Sequence, residues 1–186
     1  MKEGYRKKRL FLAFNLPREV KLEVGDYLRI LKNKNRGVSW VAPEGLHMTL
    51  HFLGDLDEGR IGSLERRLAG RGGSFERPEF EIGEAGAFPG PDHPRVVYLT
   101  LEQLNGRSAS DLQKFLGRRL SEEGIEPDGR PWTPHITLGR AKDPRPLELP
   151  PHDFPVKSFE IKTFELMESE LGREGARYKE LFSYDL

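Results

Sequence analysis

The sequence predicts an α+β fold: two pseudo-symmetric lobes with facing, mostly antiparallel sheets, helices on the outside and an active site in the central cleft. Three observations lead there. Stretches with the two-residue period of a strand alternate twice with stretches of helical period. The segment Leu46-His47-Met48-Thr49-Leu50 recurs far downstream as Pro134-His135-Ile136-Thr137-Leu138. Each half of the chain holds one copy of that motif together with a helix, and no linker-like composition separates the halves. Residues 1–186 are therefore expected to form a single bilobal domain, long enough to bury a real core.

Residues 10–16 are a short apolar run bounded by charge and by Pro17, the profile of a well-buried strand. Val20, Val24, Tyr27, Leu28 and Leu31 then recur at helical spacing, so residues 17–31 predict an amphipathic helix, weakened slightly by Gly25. A polar loop precedes a short strand at 38–41, and Pro43-Glu44-Gly45 turns the chain into the first motif strand, 46–53. Ile61, Leu64 and Leu68 mark a second helix, which the glycines from Gly70 onward terminate. Residues 79–87 alternate unevenly and predict a strand with a glycine irregularity, followed by a loop and a strand at 95–101. Leu112, Phe115, Leu116 and Leu120 mark a third helix ending at Gly124. A turn-rich segment leads to the second motif strand at 135–139. The proline-rich stretch 144–155 predicts a surface connection, and 156–167 and 178–184 predict two last strands joined through Gly172 and Gly175.

Composition narrows the function. Thirty basic and thirty acidic side chains cancel, which argues against a protein that holds long nucleic acid chiefly by its net field, while a local basic patch stays open. The absence of cysteine excludes disulfides, thiolate metal sites and cysteine nucleophiles. Arg6-Lys7-Lys8-Arg9 ahead of Leu10-Phe11-Leu12-Ala13-Phe14 imitates a signal peptide, but Asn15 and Pro17 end the apolar run without a small-residue cleavage site. No stretch is long enough to cross a bilayer. A cytoplasmic, monomeric protein without a membrane or protein partner is the expectation.

Side chains alternate faces along a strand, so His47 and Thr49 share one face and Met48 and Leu50 the other; His135, Thr137, Ile136 and Leu138 repeat the pattern. Imidazole titrates nearest neutrality, so two facing copies supply a base and an acid together. The threonine hydroxyls are donors for the oxygens of a developing anion. The set suits in-line displacement at a phosphate. His51 falls on the same face as His47 by simple alternation. Four residues of strand, however, span roughly 13 Å, whereas zinc holds its ligands at about 2.0 to 2.1 Å. No acidic residue stands within either motif, so chemistry without a metal or other cofactor is expected.

These stretches resemble those of the two-histidine phosphoesterase superfamily, and more narrowly the bacterial and archaeal RNA 2′,3′-cyclic phosphodiesterases, historically called 2′-5′ RNA ligases. The likeness rests on Arg9-Leu10-Phe11-Leu12-Ala13-Phe14, Val38-Ser39-Trp40-Val41, Leu46 to Gly54 and Pro134 to Arg140, in that order over nearly the whole chain. It implies that His47 and His135 are the catalytic pair, with Thr49, Thr137 and Arg140 on the phosphate. It also implies metal-independent opening of RNA 2′,3′-cyclic phosphate ends to a 2′-phosphomonoester, with His135 as base and His47 as acid. Its substrates would be RNA 3′ ends or small cyclic-phosphate nucleotides. Strict alternation puts Arg140 opposite His135 and Thr137, so either the strand bulges near Gly139 or Arg140 caps the surface. His51, Phe11 and Tyr178 are candidate substrate contacts, Phe11 and Tyr178 by stacking on a base. The rival readings are 2′-5′ RNA ligation, action on another cyclic nucleotide derivative, and non-catalytic binding of RNA ends.

Overall fold

The computed structural model describes residues 6–70, 72–143, 145–172 and 175–186; the turn expected between Gly172 and Gly175, and Pro144 of the proline-rich stretch, lie outside the described residues. In chain order the elements are β1 (Lys7–Asn15), α1 (Arg18–Lys34), β2 (Val38–Trp40), β3 (His47–Asp57), α2 (Ile61–Leu68), β4 (Glu79–Phe88), β5 (Val96–Gln103), α3 (Ser108–Glu122), β6 (His135–Ala141), β7 (Ser158–Glu160), β8 (Thr163–Gly172) and β9 (Gly175–Asp185).

Two antiparallel sheets result. One has the order β3-β1-β8-β9 and the other β2-β6-β5-β4-β7. The two motif strands thus lie in different sheets, and β3 and β6 come together where the sheets meet. The even residues of β1, Leu10, Leu12 and Phe14, enter a core that continues through Met48 of β3, Val97 and Leu99 of β5, Ile136 and Leu138 of β6, and Phe164 and Leu166 of β8. The inner faces of α1 and α3 close it with Val20, Val24, Leu28, Leu112, Leu116 and Leu120. The apolar periodicities of the sequence are these faces.

Two expectations are corrected by topology. The stretch 156–167 is not one strand: β7 pairs with β4 in one sheet, while β8 pairs with β1 and β9 in the other. The chain changes sheets at Ile161, whose N–H donates to the Pro78 carbonyl at 2.9 Å. Gly25, read as a weak point of α1, is a packing requirement, because a Cβ there would meet the Pro43 ring at 3.2 Å. The irregularity expected in β4 is present as a register shift between Ile82 and Ala85.

Gly139 sits where β6 crosses under β2. A Cβ at this position would lie 2.9 Å from both Trp40 and Val38 and 3.0 Å from the Ser39 carbonyl. Gly139→Ala must push β2 outward, and overpacking of this kind costs about 1–3 kcal/mol. The expected readout is a lower urea midpoint with an unchanged slope; an unchanged midpoint would show that β2 yields without cost.

Candidate active site

Both motif strands carry a β-bulge immediately after the threonine. In β3, Leu12 lies opposite His51 and Ala13 opposite Thr49, leaving Leu50 as the extra residue. In β6, Val97 lies opposite Gly139 and Tyr98 opposite Thr137, leaving Leu138 as the extra residue. One added residue inverts the facing of everything beyond it. Leu50 and His51 are consequently both buried, as are Leu138 and Gly139.

The bulges decide two residues that alternation left open or misplaced. Arg140 pairs with Val96, on the face that carries Tyr98, so it shares a face with Thr137 and His135. It is exposed and has no carboxylate partner among the described residues. His51 is the opposite case and a correction. It sits across from the core residue Leu12, is only 4% exposed, and its Nε2–H donates to the Gln113 carbonyl of α3 at 2.7 Å. The ring is accommodated because residue 117 of α3 is glycine: a Cβ there would approach His51 to 3.1 Å. His51 does not share the face of His47. Phe52 does, opposite Phe11, and it is 51% exposed. The two halves thus place Phe52 and Arg140 at equivalent positions, and simple alternation missed Phe52 because the bulge leaves no mark in the residue pattern.

The two imidazoles are held alike. His47 Nδ1–H donates to the Gly45 carbonyl at 2.7 Å, and His135 Nδ1–H donates to the Thr133 carbonyl at 2.8 Å. A carbonyl only accepts, so each ring carries its proton on Nδ1 when neutral and leaves Nε2 free for proton exchange. The Gly45 turn is itself fixed: the Lys21 ammonium donates to the neighbouring Glu44 carbonyl at 2.8 Å, and the Tyr178 ring lies 3.0 Å from where a Gly45 Cβ would stand. Across the interface the Trp132 indole N–H donates to the Thr49 carbonyl at 2.8 Å, tying the approach to β6 onto the free edge of β3. The hydroxyls of Thr49 and Thr137 have no protein partner among the described residues.

The surroundings differ more than the motifs. His47 is packed by the Phe11 ring at 4.8 Å and by the edge of Tyr178 at 4.7 Å, whereas His135 meets only Tyr98 among the described aromatic rings, at 5.9 Å. Burial pushes His47 down to about 4, against the lift from its bond to Gly45, and the charges of Lys21 and His135 lower it further. That His135 acts on His47 places the two rings within electrostatic reach. Phe11 is 2% exposed and Tyr178 half-buried, so their first role is to wall His47. Burial also raises the Tyr178 hydroxyl, while the fields of Arg140 and Arg9 oppose that rise. Among the described residues, no three His, Asp or Glu side chains gather as a metal-binding group.

Comparison with known proteins agrees with this geometry. The sequence pattern of the LigT-like phosphoesterases matches residues 15–98 and 102–178, both motifs included. The chain belongs to that family. An RNA 2′,3′-cyclic phosphodiesterase of Methanothermobacter thermautotrophicus is 38% identical over 75% of this chain and 74% of its own, and one of Thermotoga maritima is 33% identical over 72% and 70%. Among solved structures, a protein of Thermus thermophilus superposes with a TM-score of 0.79 at 32% identity, covering 96% of this chain and 97% of that one. Escherichia coli LigT in complex with 3′-AMP superposes at 0.77 and 26% identity, over 97% and 99%. The family resemblance drawn from the motifs, and the two-sheet α+β fold, are thereby borne out.

The low proton affinity of His47 rests on its aromatic cover. Phe11→Ala admits water, so the His47 midpoint followed by NMR is expected to rise from about 4 toward the ordinary 6.5. The sign for stability follows. His47 favours the folded state most above about 6.5, and that contribution is lost as pH falls through 4. In the variant less stability is lost over this window, and an unmoved midpoint would mean that Phe11 does not set it.

Proposed function

We propose that the protein hydrolyses RNA 2′,3′-cyclic phosphate ends to a 2′-phosphomonoester, without a metal, through His47 and His135. The observation that carries the reading is the paired construction of the site. Two imidazoles on adjoining strands are held by the same i to i−2 backbone bond, each beside an unpartnered threonine hydroxyl and with an unpaired arginine on the same face as one of them. Membership of the phosphoesterase family and the names of its relatives support the same chemistry.

In the proposed reaction His135 Nε2 takes a proton from water as its oxygen attacks phosphorus. The bond from phosphorus to O3′ breaks on the far side, and His47 Nε2 gives its proton to O3′. A free 3′-hydroxyl and a 2′-phosphate remain, and the two rings have exchanged protonation states. Thr49, Thr137 and Arg140 hold the non-bridging oxygens, where negative charge accumulates in the transition state. His47 is neutral in the free protein at neutral pH. The anionic cyclic phosphate arriving between the rings supplies the charge that lets it hold a proton. The same anchoring of Nδ1 keeps each ring's exchangeable nitrogen defined throughout.

The test is incubation of an RNA oligonucleotide bearing a terminal 2′,3′-cyclic phosphate with the protein in chelator, with the product resolved as 2′- or 3′-phosphate. A 2′-phosphate is expected. His47→Ala and His135→Ala are each expected to lower kcat by about 10²–10⁴, and full activity in both variants would sink the reading. The pH dependence adds a second check. The acid limb of kcat/KM, which reports the free enzyme, should fall near 4 because of His47, whereas the corresponding limb of kcat should lie higher because bound anion favours the imidazolium. Coincident limbs would mean that His47 does not meet the phosphate.

A further inference from the structure

Beside the histidine site lies a second concavity of about 420 Å³, bounded by β3, α3 and the segment that leads into β6. Its walls include His51, Lys114, Arg118, Asp128, Arg130 and Trp132. It adjoins the histidine site because it is built on the same two segments. His51 follows Thr49 by two residues, and Trp132, whose indole is bonded to the Thr49 carbonyl, precedes His135 by three. Trp132 is half-buried and forms the partition between the two sites.

The charge of this groove is one-sided in a protein that is neutral overall. Arg130 and Asp128 close on each other as a forked ion pair and cancel. Lys114 and Arg118, four apart on α3 and therefore on one face, are exposed and have no carboxylate partner among the described residues. Three cations against one carboxylate leave a net charge of +2 on the lining. The basic residues elsewhere are differently arranged: on β1, Lys7 and Arg9 stand directly across from Asp57 and Asp55, and Lys8 is bonded to Glu168. Uncompensated cations beside an aromatic ring are the combination that follows a single-stranded nucleic acid, with the cations on its phosphates and the ring against a base.

We propose that this groove binds the RNA chain upstream of the reacting end, with Lys114 and Arg118 on backbone phosphates and Trp132 between the groove and the terminal nucleotide. The proposal rests on the reading of the histidine site as one for RNA ends, and it deepens that reading: the substrate is an RNA strand several nucleotides long, held at two places, rather than a free cyclic mononucleotide. Lys114 and Arg118 act on the part of the chain that does not react, so they govern affinity for long substrates and leave the chemical step untouched.

The experiment compares the wild type with the Lys114→Gln/Arg118→Gln double variant on two substrates, a 2′,3′-cyclic mononucleotide and an oligoribonucleotide of about eight residues with the same cyclic end. Both substitutions are on the surface of a helix whose buried face is unchanged. Turnover of the mononucleotide is expected to be unaltered, and KM for the oligonucleotide to rise at least several-fold. The slope of log affinity against log salt, measured by anisotropy on the 2′-phosphorylated oligonucleotide, should become shallower by about 1.4 for two lost cations. Equal effects on the two substrates, or none on the oligonucleotide, overturn the proposal. If the wild type opens neither cyclic phosphate, the reading of the histidine site fails. The anisotropy then still tests the groove, which stands if the double variant binds the oligonucleotide more weakly and falls if it binds equally.

Discussion

Everything at the site depends on one extra residue in each motif strand. An unbroken strand would send its residues strictly in turn to core and cleft. By inserting Leu50 in β3 and Leu138 in β6, the protein buries two consecutive residues and then returns the chain to the cleft face. The bulge anchors each strand end in the core and, a residue later, restores Phe52 on one side and Arg140 on the other to the cleft. The geometry is therefore duplicated while the chemistry at the last position is not: an aromatic ring in one lobe occupies the place of a guanidinium in the other.

Backbone, rather than side chains, sets the protonation pattern. A carboxylate bonded to either ring would add negative charge and raise that ring's proton affinity. Here each Nδ1 is bonded to a carbonyl two residues earlier, so the rings are oriented without an added charge. His47 then answers to its surroundings, the aromatic cover of Phe11 and Tyr178 and the nearby ammonium of Lys21. Lys21 serves twice, since it also bonds the Glu44 carbonyl and so steadies the turn whose next carbonyl holds His47.

Beneath the site lies a buried carboxyl whose pH dependence opposes that of His47. Glu165 is 2% exposed, accepts the N–H of Asn15 at 2.8 Å, and is pushed up to about 7, mainly by burial. Asn15 is the residue paired with His47 across β1 and β3. A raised carboxyl favours the folded state most below about 4.5 and loses that contribution as pH rises through 7. His47 loses its contribution in the other direction, as pH falls from 6.5 through 4. The region around the first histidine is thus held between opposite titrations.

The sequence by itself determined the two His-x-Thr strands, their apolar backing, the three helices and the family, because a period of two or of 3.6 residues is written directly in residue order. The outward faces of His47, Thr49, His135 and Thr137 were legible for the same reason. The tertiary structure alone decided what lies beyond each motif. A bulge is a mismatch between two strands and exists only once the partner's register is fixed, so neither the recovery of Arg140 nor the turning away of His51 could be counted from one chain segment. The same holds for the division of residues 156–167 between two sheets, which depends on the hydrogen-bonding edges that β4 and β1 offer. It holds also for the groove of Lys114, Arg118 and Trp132, whose residues are far apart in sequence and meet only because α3 packs behind β3 and Trp132 bonds to its edge.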